Sequence, residues 1–178
     1  MPREREGLRA ADYDLAGLRN EPRLVAPHFT VRQFVSKQGR GFPTYLVLRE
    51  RLLLKLEMLL EEVRSAGLSA STFRILSGCR TPFYNRSIGN ETRYSRHVYG
   101  DAADIYVDED GDGTMDDLNG DGRTTLDDAR ALAAVVEGLS EKSWYQPFEG
   151  GLGLYRANAA HGPFVHVDVR GHPARWGP

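Results

Sequence analysis

The segment Phe164-Val165-His166-Val167-Asp168-Val169 constrains the fold most, because apolar and polar residues alternate from Val165 to Val169. Successive side chains of a β-strand point to opposite faces, so the three valines would share one face. His166 and Asp168 would then share the other face. The pattern predicts a strand with one side against a hydrophobic core and one side free for chemistry.

Other segments predict the rest of the scaffold. Leucines recur at helical spacing from Thr44 to about Ala66, with Thr44 as N-cap and Gly67 as the stop. The remaining predicted elements are a short docking helix capped by Thr30, strands at 73–76, 102–107 and 151–155, a helix that starts at Thr81-Pro82, and a helix from Leu126 to Glu137 ended by Gly138. Together they predict an α+β fold, with a small, mostly antiparallel sheet and flanking helices.

The length and composition narrow the classes further. A chain of 178 residues with 40% hydrophobic residues fits one packed domain, which we place at 26–178 after a charged lead-in at 1–25. No run of 18 apolar residues is present, so no membrane span is expected. The single cysteine, Cys79, excludes an internal disulfide and is typical of a small buried side chain.

Charge is distributed unevenly. Residues 101–128 contain eleven Asp and Glu against one Arg, which leaves the rest of the chain basic. A basic surface favours an anionic polymer such as cell wall. The arginines are dispersed and no recognition helix is evident, so a nucleic-acid partner is not expected.

Two segments carry candidate metal ligands. His97 and Asp104 lie in Ser95-Arg96-His97-Val98-Tyr99-Gly100-Asp101-Ala102-Ala103-Asp104, where Gly100 would let the backbone turn, and His166 lies on the alternating strand. Two neutral imidazoles and one carboxylate leave a fourth tetrahedral position for water, as in catalytic zinc sites. Zinc-bound water has a pKa of about 7, which makes it a usable nucleophile at neutral pH.

The pattern S-x-H-x-x-G-x-A-x-D over residues 95–104 resembles the zinc D-alanyl-D-alanine metallopeptidase family, which shares its fold with lysostaphin-type peptidases and the hedgehog domain. Further strings resemble its murein endopeptidase subgroup: SGCRTPFYN (77–85), GGLGLY (150–155), FVHVDVRGHPARW (164–176) and HFTVRQF (28–34). The resemblance implies that His97, Asp104 and His166 bind zinc. It also implies that Arg80 orients a substrate carboxylate or stabilises the oxyanion, and that Ser95 supports the metal loop.

The general base is left open by the sequence. Some relatives have a Glu three residues before the last histidine ligand, where this chain has Pro163. Asp168, in the H-x-D pattern, is one candidate, either as a catalytic group or as an orienting partner of His166. His161 is a second candidate, whereas His172 is expected at the surface.

The acidic segment 108–128 predicts a structural calcium-binding insert. Residues 117–128 fit a calcium loop that resembles those of dockerins, and an overlapping frame begins at Asp108, so one or two ions are expected. The predicted ligands are Asp117, Asn119, Asp121, the carbonyl of Arg123 and Asp128 in the first frame, and Asp108, Asp110, Asp112 and Asn119 in the second.

The resemblance implies a zinc metallopeptidase that hydrolyses peptide bonds in peptidoglycan stem peptides, as a D,D-carboxypeptidase or a cross-link endopeptidase. We expect a monomer. The substrate is exported, so a periplasmic or extracellular location follows, although the N-terminal residues do not read as an export signal. The alternative is a zinc- and calcium-stabilised wall-binding domain without catalysis, which the missing Glu favours. A dockerin-like interaction module would need two complete loop-helix units.

Overall fold

The computed structural model describes residues 23–38, 45–90, 92 and 94–178. The predicted N-cap Thr44 and residues 1–22 of the predicted lead-in lie outside this part of the chain. The strands are β1 (Leu24–Ala26), β2 (Phe29–Thr30), β3 (Arg74–Ser77), β4 (Ala102–Tyr106), β5 (Gly151–Tyr155), β6 (Phe164–Asp168) and β7 (Ala174–Trp176). The helices are α1 (Val31–Phe34), α2 (Glu50–Ser65), α3 (Pro82–Ser87) and α4 (Leu126–Ser140), with 3-10 helices at Arg96–Tyr99 and Ser143–Phe148.

The main sheet has the strand order β3-β4-β6-β5-β7, and β1 and β2 form a separate antiparallel pair. All neighbours in the main sheet are antiparallel except β5 and β7, which run parallel. The alternating strand β6 is therefore the central strand. The predicted α+β class and mostly antiparallel sheet are confirmed, whereas β1, β2 and β7 were not predicted.

Helices α2 and α4 pack against each other, and α4 packs on β5 and β6. The valine face of β6 belongs to this core, with Val165 and Val167 fully buried. Full burial of a leucine or valine contributes about 1.5–3 kcal/mol relative to exposure. The core thereby fixes β6, and the fixed strand carries the candidate site.

Helix α2 begins at Glu50, so the predicted start near Thr44 is wrong. The backbone from residue 45 to 49 makes long-range bonds instead: Val47 N–H donates to Cys79 Sγ at 3.3 Å, and Arg49 N–H donates to Gly100 O at 2.8 Å. These partners hold the segment out of the helix although Leu48 lies at helical spacing from Leu52. The predicted end near Gly67 is confirmed, with Ala66 as the C-cap.

Helix α4 runs through Gly138 to Ser140, so the predicted stop at Gly138 is also wrong. Its apolar stripe continues past the glycine, since Leu132, Val136 and Leu139 are all buried. Burial of Leu139 requires another helical turn, which outweighs the weak helix propensity of one glycine. None of the described helices is both long and apolar enough to cross a membrane.

Candidate metal centre and cleft

Neighbouring elements bring the three predicted zinc ligands together. Asp104 on β4 pairs in register with His166 on β6. His97 lies on the 3-10 helix just before β4, rather than on the loop that we predicted. Gly100 ends this 3-10 helix with φ of 69°, and a Cβ there would lie 2.3 Å from Val47 O, so this turn requires glycine.

The inward-facing atoms of the three ligands lie close to one another. Nε2 of His97 is 3.2 Å from Nδ1 of His166 and 3.3 Å from Oδ1 of Asp104, and the other two atoms are 2.8 Å apart. Ligands about 2.0–2.1 Å from a tetrahedral zinc ion are about 3.3 Å apart. The cluster therefore has the dimensions of one face of a zinc coordination tetrahedron.

The outer nitrogens of both histidines have acceptor partners. Nδ1 of His97 donates to Gly78 O at 2.8 Å, and Nε2 of His166 donates to Asp168 Oδ2 at 3.2 Å. A neutral imidazole has one N–H, so these bonds leave lone pairs on the inner nitrogens. Three acceptor atoms then converge with no proton between them, and only a cation or an added proton can stabilise that arrangement.

The pKa directions agree with this picture. Burial lowers the pKa of His97 and keeps it neutral. Burial would also lower the pKa of His166, but hydrogen bonds to Asp104 and Asp168 outweigh it and raise that pKa. Burial alone would raise the pKa of Asp104, but the two histidines hold it far below its usual range. Asp104 is thus a carboxylate, and a metal ion would displace the extra proton from His166.

Asp168 lies behind His166 and is fully buried. Its carboxylate also accepts hydrogen bonds from Gly151 N–H at 2.8 Å and from Arg170 Nη2 at 2.5 Å. Burial alone would raise the pKa of Asp168, but these donors and His166 lower it strongly. A carboxylate in this place fixes the ring orientation of a metal-binding histidine.

A buried lysine supports the end of β6. Lys55 of α2 donates from Nζ to Asp168 O at 2.7 Å and to Phe148 O at 3.2 Å. Burial lowers the pKa of Lys55 to about 8. We did not identify this residue from the sequence, although a lysine at a helical position between the buried Leu52 and Leu56 was a usable signal.

Arg80 lies beside the metal centre, as its predicted role requires. Its Nη2 donates to Asp104 Oδ2 and its Nε donates to Ser77 Oγ at 2.7 Å. The guanidinium carries five N–H donors, more than these two bonds use. The neighbouring Cys79 is buried, and burial raises the pKa of its thiol, so it is not an activated nucleophile.

The cluster lies in an open cleft of about 910 Å³. His161 lines the same cleft, where its Nε2 accepts from Asn158 Nδ2 at 2.9 Å and its Nδ1 donates to Gly162 O at 2.8 Å. His172 is exposed, as predicted. The other side chains around the cleft include Tyr84, Tyr94, Ser95, Arg96, Tyr155, Phe164, Arg170 and Trp176.

Ser95 contacts the metal loop through its backbone rather than through its hydroxyl. Its Oγ is buried and has no hydrogen-bond partner among the described residues. Its carbonyl supports the metal loop instead, accepting from Val98 N–H at 3.0 Å.

Trp176, on the unpredicted strand β7, packs against His166 with their ring centroids 5.0 Å apart. The glycines of the GGLGLY string make room for it and for Asp168. A Cβ on Gly153 would lie 2.4 Å from the Trp176 indole, and one on Gly150 would lie 1.9 Å from Asp168 O. The string is thus explained by close packing beneath His166.

The acidic segment contains a second convergence of carboxylates. Oxygens of Asp108, Asp110 and Asp116 lie within 4.8 Å of one another. Asp116 was not predicted as a ligand, whereas the predicted Asp112 is exposed and accepts from Thr114 N–H at 2.8 Å. The predicted frame took its first, third and fifth residues as ligands and therefore missed Asp116. The Asp116 N–H donates to Val107 O, and this bond brings Asp116 back beside Asp108.

The predicted loop 117–128 is held mainly by its own backbone. Asp117 accepts from Gly122 N–H at 2.6 Å, and the fully buried Asp128 accepts from Leu118 N–H and Thr125 N–H. The other predicted ligand side chains make similar local bonds: Asn119 Oδ1 accepts from Asp121 N–H, and Asp121 Oδ1 accepts from Arg123 N–H. Calcium binding by this loop stays a prediction.

Comparison with known proteins agrees with the metal centre. The family model described as Peptidase M15 matches residues 27–125, more than half of the chain. The match includes Arg80, His97 and Asp104 and ends before His166, which the structure joins to them. The chain matches no curated protein sequence. Peptidases of the M15 family depend on zinc, and this chain belongs to the Peptidase M15 family.

Proposed function

We propose that this protein is a zinc metallopeptidase that hydrolyses peptide bonds in the stem peptides of bacterial peptidoglycan. The observation that carries the proposal is the convergence of His97 Nε2, Asp104 Oδ1 and His166 Nδ1, all within 3.3 Å of one another, in an open cleft. A zinc ion bound there would supply an activated water and polarise the scissile carbonyl. The exported substrate implies that the enzyme works in the periplasm or outside the cell.

The chain's own residues would divide the remaining work. Asp168 holds the ring of His166 and is a positioning residue, since its carboxylate is fully buried behind that ring. Arg80 has donors to spare for a substrate carboxylate or for the oxyanion that forms on the scissile carbonyl. His161 lines the cleft, and its Nε2 could exchange the Asn158 amide for water or substrate and then carry a proton.

The first experiment is mass spectrometry of muropeptides after incubation with the zinc-loaded protein, with an Asp104→Asn variant beside it. We expect loss of a terminal D-alanine, or conversion of cross-linked dimers to monomers, with the wild type alone. If the zinc-loaded wild type leaves every muropeptide intact, the non-catalytic wall-binding alternative takes its place.

A pair of stem peptides with free and amidated C-termini would assign the bond. Cleavage of the free acid alone would indicate carboxypeptidase action with Arg80 on the terminal carboxylate, and cleavage of both would indicate an endopeptidase. His161→Gln should lower kcat by about 10²–10⁴-fold while zinc is retained, if His161 transfers protons. His172→Gln is the matched control, because His172 is exposed.

A further inference from the structure

The acidic segment holds a carboxylate that its own fold leaves incompletely satisfied. Asp108 lies two residues after the end of β4, and its side chain is only 2% exposed. Its Oδ2 accepts from Arg74 Nε at 3.0 Å, but its Oδ1 is buried and has no hydrogen-bond partner among the described residues. A buried acceptor without a partner costs about 1–3 kcal/mol, and more when it is charged.

Two further carboxylates converge on this residue. One oxygen from each of Asp108, Asp110 and Asp116 lies within 4.8 Å of the others. Three carboxylates this close repel one another, and a cation bound among them would offset that repulsion beyond what Arg74 supplies at Asp108. The ligand chemistry is entirely oxygen, which suits a hard cation such as calcium rather than zinc.

The same loop packs against the cleft wall. Thr114, inside the loop, lies so close to Gly162 that a Cβ on the glycine would be 2.0 Å from Thr114 Oγ1. Tyr106 O–H donates to Gly113 O at 3.2 Å and ties the loop to the end of β4. Gly162 follows His161, so the position of the loop sets the position of this part of the wall.

We propose that Asp108, Asp110 and Asp116 bind a calcium ion, which holds Thr114 against Gly162 and thereby positions His161 at the cleft. The calcium site rests on the buried Asp108 oxygen and the carboxylate cluster, and does not depend on the proposed peptidase function. Its effect on catalysis rests on the proposed peptidase function. The site differs from the predicted frame, since Asp116 rather than Asp112 joins Asp108 and Asp110.

Peptide-resolved hydrogen exchange of the zinc-loaded protein, with and without calcium, tests the proposal independently of peptidase activity. Calcium should slow amide exchange in peptides covering 108–116 and also in those covering 158–163. Asp116→Asn should abolish both effects and weaken calcium binding at this site at least tenfold in calorimetry. Asp116 is suitable for substitution because it is partly exposed, whereas Asp108 also pairs with Arg74.

Two control variants complete the test. Asp127→Asn, an exposed acid outside the cluster, and Asp121→Asn, in loop 117–128, should both keep the calcium effect on 108–116 and 158–163. Protection that survives in Asp116→Asn but disappears in Asp121→Asn would overturn the site. Protection of 108–116 without 158–163 would overturn the coupling to the cleft. A protein without peptidase activity would still give the exchange result, so the two proposals fail separately.

Discussion

The metal centre and the acidic segment are both sets of convergent ligand side chains, but they are built differently. The centre joins His97, Asp104 and His166 from separate elements of a packed sheet, and its histidines are fixed by Gly78 O and Asp168. The acidic segment folds largely on itself, through carboxylates that accept nearby backbone N–H groups. The first site depends on the whole fold, whereas the second depends on local chain geometry and, in our proposal, on a bound cation.

This difference predicts that a substitution in the metal centre changes metal affinity more than any substitution in the acidic segment. Asp104→Asn should lower zinc affinity by more than about 100-fold, because it removes the anionic ligand while keeping the shape of the side chain. Loss of a residue that only orients a ligand usually costs less than this. The zinc content of each variant after dialysis against a zinc buffer measures this loss of affinity. Asp101→Asn, a buried neighbour that pairs with Arg96, should retain zinc. Equal zinc in both variants would contradict the ligand assignment.

The dependence of the centre on the fold can be measured through Lys55. Burial lowers its pKa from 10.5 to about 8, so the unfolded state binds more protons between these values and stability rises with pH there. The free energy of unfolding of the wild type should gain up to about 3 kcal/mol relative to Lys55→Met across this window. Chemical denaturation at several pH values measures the difference, and parallel profiles would show that folding does not lower the pKa of Lys55.

The outer partner of His166 gives a smaller effect. Asp168→Asn should weaken zinc binding by about 10–100-fold, because the ring loses its anionic acceptor but keeps its place on β6. Competition with a zinc chelator measures the change. Arg170→Gln removes a donor to Asp168 without touching His166 and should change zinc affinity less. If Arg170→Gln has the larger effect, Asp168 acts through the arginine rather than through the histidine.

Substitutions at two glycines should give the smallest effects, which are changes of opposite sign in the free energy of unfolding. Gly153→Ala would push the indole of Trp176 and should destabilise the protein by about 1–3 kcal/mol. Gly138→Ala, in α4 after the acidic segment, meets nothing within 4 Å and should stabilise it by about 0.5–1 kcal/mol through helix propensity. Thermal unfolding measures both. A destabilising Gly138→Ala would contradict the helix that continues to Ser140.

The sequence predicted correctly those strands and helix ends that depend on neighbouring residues. The alternation of β6 and the Thr81 cap of α3, whose side chain accepts from Tyr84 N–H, were predicted from a few neighbouring residues. The start of α2 was not, because Cys79 and Gly100 hold the preceding backbone and neither is near it in sequence.

The sites follow the same rule. The three ligands of the centre were predicted through family resemblance, since spacing alone does not show that β4 and β6 pair in that register. Lys55 and Trp176 reach the site only through tertiary packing, and Asp116 joins Asp108 only through the fold of the loop. Each was therefore missed in the sequence.

The most direct test of the metal centre is zinc K-edge X-ray absorption of the wild-type protein loaded with one equivalent of zinc. We predict two imidazole nitrogens at about 2.0–2.1 Å together with oxygen ligands at about 2.0–2.2 Å, and loss of this spectrum in Asp104→Asn. A spectrum of oxygen ligands alone, or an unchanged spectrum in the variant, would place the zinc elsewhere and contradict the central claim.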